Sequence, residues 1–135
     1  MNIGAQAEIA AARYLRQRGL QLIMQNYRCR FGEIDLILQE GETLVFAEVR
    51  FRSSKDFGGA AASIDARKQS KLICTAQHYL SKLAHIPPCR FDAVLLKSPA
   101  VQPGIRSFPA QAKEKDLPRD FADADIEWIK NAFGA

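Results

Sequence analysis

At 135 residues, 47% hydrophobic and 25% charged, the chain has the makeup of one compact domain over 1–135, large enough for a core around a central sheet and without room for a second domain. A net charge of +4 is compatible with a polyanionic partner without requiring one. Cys29, Cys74 and Cys89 are odd in number, far apart and without a C-x-x-C pair, which argues against a disulfide framework or a structural zinc site; no apolar run approaches membrane-spanning length, and Met1 to Gly4 leads into a helical pattern rather than a signal peptide, so a reduced cytoplasmic protein with no membrane partner is expected.

Ala7, Ala10, Ala11, Tyr14 and Leu15 recur at helical spacing, which predicts a first helix from about Ile3 to Arg18 with Gly19 as its stop. Glu8 lies beside that alanine stripe, so its carboxylate can reach a site at the edge of a sheet. Three strands follow, roughly Leu22 to Arg30, Glu33 to Gln39 and Thr43 to Phe51, then a long helix with Ile64, Leu72, Ile73, Ala76, Tyr79, Leu80 and Leu83 as its apolar stripe. A fourth strand, Arg90 to Leu96, is entered after Pro87-Pro88. The length of that strand-helix-strand passage predicts a right-handed parallel crossover, and hence an α/β fold: a mixed sheet of about four to five strands flanked by helices. The proline-rich stretch 98–124 is expected to be irregular or partly disordered, with Ile126, Trp128, Ile129 and Phe133 pinning the tail back to the domain.

The chemistry concentrates in the second and third strands. Gly32-Glu33-Ile34-Asp35-Leu36-Ile37 and Leu44-Val45-Phe46-Ala47-Glu48-Val49-Arg50 each carry a carboxylate inside an apolar run, where desolvation is costly without a cation, a donor or open water beside it. A two-residue turn at Glu40 and Gly41 sets Asp35 opposite Phe46 and Glu33 opposite Glu48, making Asp35 and Glu48 diagonal neighbours on one face; a three-residue turn would split them across the sheet unless a bulge intervened. Hard carboxylate oxygens select Mg²⁺ or Mn²⁺, the ions that polarise a phosphoryl oxygen and activate water. Arg28, Arg30, Arg50, Arg52 and Lys55 flank the acidic pair in sequence, as cations that would hold a polyanion. Ser53 to Ala62, with Gly58 and Gly59, reads as a loop beside this site.

The spacing Gly32-Glu33-Ile34-Asp35, then Glu48-Val49-Arg50, with Glu8 upstream on a helix, resembles the core motif of the PD-(D/E)XK nuclease superfamily. Within that superfamily the chain is most similar to the bacterial YraN (UPF0102) family, related to archaeal Holliday junction resolvases, through Phe91-Asp92-Ala93-Val94 and the closing Trp128-Ile129-Lys130-Asn131-Ala132-Phe133. The resemblance implies a restriction-endonuclease-like core, a metal-dependent endonuclease acting on DNA or structured nucleic acid, and a homodimer. It makes Asp35 and Glu48 metal ligands, the Val49 carbonyl a third ligand and Glu8 an auxiliary carboxylate. It also raises Gln69 and Lys68, from the second helix, as residues assisting the site. At position 50 the superfamily has Lys; Arg50 cannot exchange a proton, although it can stabilise phosphate charge. An alternative is therefore a nucleic-acid-binding module that keeps the nuclease fold without cleavage, and a third reading is a small interaction protein with no nucleic-acid role.

Overall fold

The computed structural model describes residues 3–52, 64–97 and 125–133. The predicted irregular stretch 98–124, the loop candidate around Gly58 and Gly59, and Lys55 lie outside those residues. In chain order the elements are α1 (Ile3–Gln17), β1 (Gln21–Cys29), β2 (Gly32–Glu40), β3 (Thr43–Arg52), α2 (Ala66–Leu80), β4 (Cys89–Lys97) and β5 (Ile126–Phe133). The five strands form one mixed sheet in the order β1-β2-β3-β4-β5. β3 and β4 run parallel, joined through α2, and the other three pairings are antiparallel. This is the expected α/β architecture, consistent with a restriction-endonuclease-like core.

Each helix covers one face of the sheet. On one side the small residues Ala7, Ala10, Ala11 and Ala12 let α1 lie close against Leu36, Leu38, Val45, Ala47, Val94 and Leu96, with Leu15 filling the remaining space. On the other side, Leu72 and Ala76 of α2 pack with Ile34, Ile37, Phe46, Phe91 and Phe133. Asp65 caps α2, its Oδ1 accepting the Lys68 backbone N–H at 2.8 Å. Among the described residues no helix is long and apolar enough to cross a membrane.

The β2–β3 hairpin corrects the predicted turn. Glu40 pairs with Thr43, so Gly41 and Glu42 form the two-residue turn, with Gly41 at φ 59°, where glycine carries no steric cost. The register moves by two residues from the one expected. The ladder ends at Leu36–Ala47, and Asp35 and Glu48 are the next positions beyond it on the two strands, rather than the diagonal neighbours expected.

The tail contributes more than a pinning segment. Residues Ile126–Phe133 form a full edge strand antiparallel to β4, held by a fully buried carboxylate: Asp92 Oδ2 accepts the Trp128 indole N–H at 2.9 Å, and Asp92 Oδ1 accepts the Asn131 N–H at 2.9 Å. Arg90 Nε approaches the same carboxylate at 3.1 Å and its Nη1 reaches Glu40 Oε1 at 2.7 Å, so the buried Asp92 charge is paired by a guanidinium that a second carboxylate also holds.

Candidate metal centre

The last pair of the β2–β3 ladder before the acidic positions is Leu36–Ala47. Beyond it Asp35 turns its Oδ2 onto the Val49 backbone N–H at 2.8 Å, so a side-chain oxygen takes up a backbone donor at the end of the ladder. The N–H and C=O of a strand residue face the same neighbouring strand, which directs the Val49 carbonyl towards β2 as well.

Alternation in β2 breaks at this point: Ile34 and Ile37 pack with the α2 cluster, Leu36 and Leu38 with the α1 cluster. Asp35 therefore sits where residues from both helices reach it. From the α1 side comes Glu8; Glu8, Glu33 and Asp35 each offer an oxygen within 4.8 Å of the others. From the α2 side comes Lys68, whose Nζ lies 3.5 Å from Glu48 Oε1, the same oxygen that Arg50 Nε approaches at 3.5 Å.

Asn26 completes the acidic cluster and was not singled out in the sequence. In the amide orientation that satisfies both carboxylates, its side-chain nitrogen lies 3.2 Å from Glu8 Oε2 and 2.8 Å from Glu33 Oε1. It is opposite Asp35 in the β1–β2 register, and its φ of 55° is a left-handed conformation that Asn tolerates better than most residues. An Asn interrupting a strand-like run was its only signal. Glu33 was also overlooked as a member of the cluster, and its Oε2 meets Arg28 Nε at 3.3 Å.

Electrostatically the cluster is strained when metal-free. Burial pushes the Glu48 carboxyl up to about 7; the neighbouring Asp35 charge adds to the rise, and Lys68 and Arg50 act against it. Burial raises Asp35 too, against the lowering effect of the Val49 N–H, and Glu8 is raised by burial and then by the Asp35 charge. Glu48 is 5% exposed, and its Oε2 is buried without a hydrogen-bond partner. A buried carboxylate oxygen without a hydrogen-bond partner, beside a second carboxylate, fits a hard divalent cation.

The other expected site residues fall in distinct places. Gln69 donates its amide to Ile64 O at 2.8 Å, steadying the start of α2, so Lys68 rather than Gln69 brings a polar end to the carboxylates. Arg28 borders the cluster through Glu33, whereas Arg30 lies over the Phe31 ring, 4.8 Å from its centroid, near the β1–β2 turn. Arg52 ends β3, and its side chain lies outside the described residues, as does Lys55.

The family model described as "Uncharacterised protein family UPF0102" matches residues 7–96, the span that contains every carboxylate of the cluster. The chain belongs to the UPF0102 family. A UPF0102 protein of Nitrosomonas europaea is 52% identical over 98% of this chain and 93% of its own length. Another, from Methylobacillus flagellatus, is 48% identical over 98% and 97%. A third, from Psychromonas ingrahamii, reaches 55% identity over 74% of this chain and 82% of its own length. UPF0102 membership thus extends over nearly the whole chain, including the β4 and β5 segments that lock the tail.

Proposed function

We propose that this UPF0102 protein is a divalent-metal-dependent endonuclease of the PD-(D/E)XK type, Holliday junction resolvase-like, hydrolysing phosphodiester bonds in DNA or structured nucleic acid. The observation that carries this reading is buried Glu48, with one oxygen unpartnered, beside half-buried Asp35, with Glu8 on one side and the cations Arg50 and Lys68 on the other. Carboxylates alone would repel a phosphate; a cluster that gathers them beside two cations suits an ion that is itself shared with the phosphate.

Asp35, Glu48 and the Val49 carbonyl would hold Mg²⁺ or Mn²⁺, with Glu8 and Glu33 available to its remaining positions. When bound, such an ion polarises a phosphoryl oxygen and makes water more acidic. The rest falls to the chain's own residues. Arg50, with a planar fork of donors, is suited to the oxygens of the scissile phosphate, and the outward-facing Arg28 to the adjoining backbone. Hydrolysis consumes one water: its oxygen bonds to phosphorus as the opposite P–O bond breaks, the leaving oxygen keeps the electron pair and takes a proton from solvent, and the proton lost by the attacking water returns to solvent.

The test is cleavage of labelled linear, flapped and four-way-junction DNA in Mg²⁺ or Mn²⁺ by the native chain, Asp35→Ala and Glu48→Ala. Metal-dependent cutting that both substitutions abolish is expected. Binding that weakens with salt, survives Asp35→Ala and leads to no cutting would favour the second reading, a nucleic-acid-binding module, for which Arg50 in place of a proton-exchanging lysine speaks directly.

A further inference from the structure

Two cations from different elements meet one oxygen. Arg50 Nε comes from β3 and Lys68 Nζ from α2, each 3.5 Å from Glu48 Oε1. The lysine's approach is built into the first turn of α2. Asp65 Oδ1 holds the Lys68 N–H at 2.8 Å, Asp65 O accepts the Gln69 N–H at 2.9 Å, and the Gln69 side chain ties the turn back to Ile64 O. Buried Ile64 and Leu72 fix the turn to the sheet on either side of these bonds. The Lys68 side chain is 38% exposed, so its ammonium stands between the buried carboxylate and solvent.

The two cations are not equivalent. A guanidinium spreads five donors in a rigid plane, a shape suited to two oxygens of one phosphate. An ammonium concentrates three donors on one atom at the end of a flexible stem, so it can keep one on Glu48 and give another to a single water. We infer that Lys68, reaching in from α2, is the residue that holds the attacking water in the proposed hydrolysis, while Arg50 on β3 contacts the scissile phosphate. This rests on the endonuclease reading and adds a residue to it: the lysine expected two positions after Glu48 on the strand is replaced by one arriving from α2 at the same carboxylate oxygen.

The experiment compares the native chain with Lys68→Ala, Lys68→Arg, Arg50→Lys and the double variant Lys68→Ala/Arg50→Lys. Three quantities are measured for each: single-turnover cleavage of junction DNA in Mn²⁺, DNA affinity in Ca²⁺, and the rise in Tm produced by Mn²⁺ without DNA. Lys68→Ala is expected to slow cleavage on the order of 100-fold, the loss typical of removing one positioned donor, with DNA affinity and the Mn²⁺ response retained. Lys68→Arg stays slow, and the double variant regains at least about tenfold, because the ammonium returns from the strand side. Cleavage by Lys68→Ala at the native rate overturns the assignment. So does a fall in DNA affinity that matches the fall in rate, which would make Lys68 a plain phosphate contact, or a parallel loss of the Mn²⁺ response. A native chain that binds DNA but never cuts overturns the endonuclease reading itself, a result distinct from native cutting that is indifferent to Lys68.

Discussion

At Glu48 the demands of folding oppose those of the proposed function. A carboxyl that ordinarily titrates at 4.5 keeps its proton here to about 7, because burial and the Asp35 charge both penalise the ionised form. Between those values the folded chain binds more protons than the unfolded one, so its unfolding free energy falls as pH rises through that window, and above about 7 the ionised Glu48 is a standing cost. Glu8 and Asp35, both raised, act in the same direction. Glu48→Gln mimics the protonated acid, and we expect it to stabilise the metal-free protein by on the order of 1–3 kcal/mol above neutral pH and to flatten the fall in stability, as read by urea unfolding across the window. The same substitution should abolish the stabilisation by Mn²⁺. In the native chain that stabilisation should be small near the acid end and grow as pH rises towards 7 and beyond, because the ion must displace the proton; a Tm shift independent of pH would contradict this.

The hairpin and the tail strand show how packing holds the cluster in shape. Gly32 starts β2 at φ 150°, and a Cβ there would meet Thr75 Oγ1 of α2 at 3.2 Å. Gly32→Ala is expected to cost about 1–3 kcal/mol by denaturant unfolding, because backbone strain and the close approach of α2 act together. Asp92→Ala removes the shared acceptor of Arg90, Trp128 and Asn131 inside the sheet, and should cost about 2–4 kcal/mol, with β5 amides losing hydrogen-exchange protection first. The α1 stripe and the strands of the hairpin were legible from hydrophobic periodicity, and the parallel β3–β4 pairing from the length of the passage between them, whereas the hairpin turn was displaced by one residue. The status of β5 as a strand was not legible, since Glu127, Lys130 and Asn131 break the apolar pattern of an edge strand and Asn131 takes φ 54°. What orders that segment is Asp92, a partner 36 residues away from Trp128 in the chain.

In the molecule as a whole, the sheet brings one end of its β2–β3 pair between two helices of opposite character: the close-packed α1 delivers an acid, and α2 delivers a cation. Asp35 and Glu48 could be found from the sequence because a charge inside an apolar strand is costly without a compensating partner. Asn26 and Glu33 could not, because their convergence with Glu8 depends on the irregular β1–β2 register and on how closely α1 approaches the sheet. Which residue of α2 reaches Glu48 was equally hidden, since the capping bonds of Asp65 and Gln69 decide it. The central claim is that these carboxylates form one metal centre organised around Asp35, and its most direct test is anomalous scattering from crystals soaked in Mn²⁺. The account predicts a single strong peak bridging Asp35 and the buried Oε2 of Glu48; no peak, or one bound by Glu8 and Glu33 with Glu48 uninvolved, would contradict it.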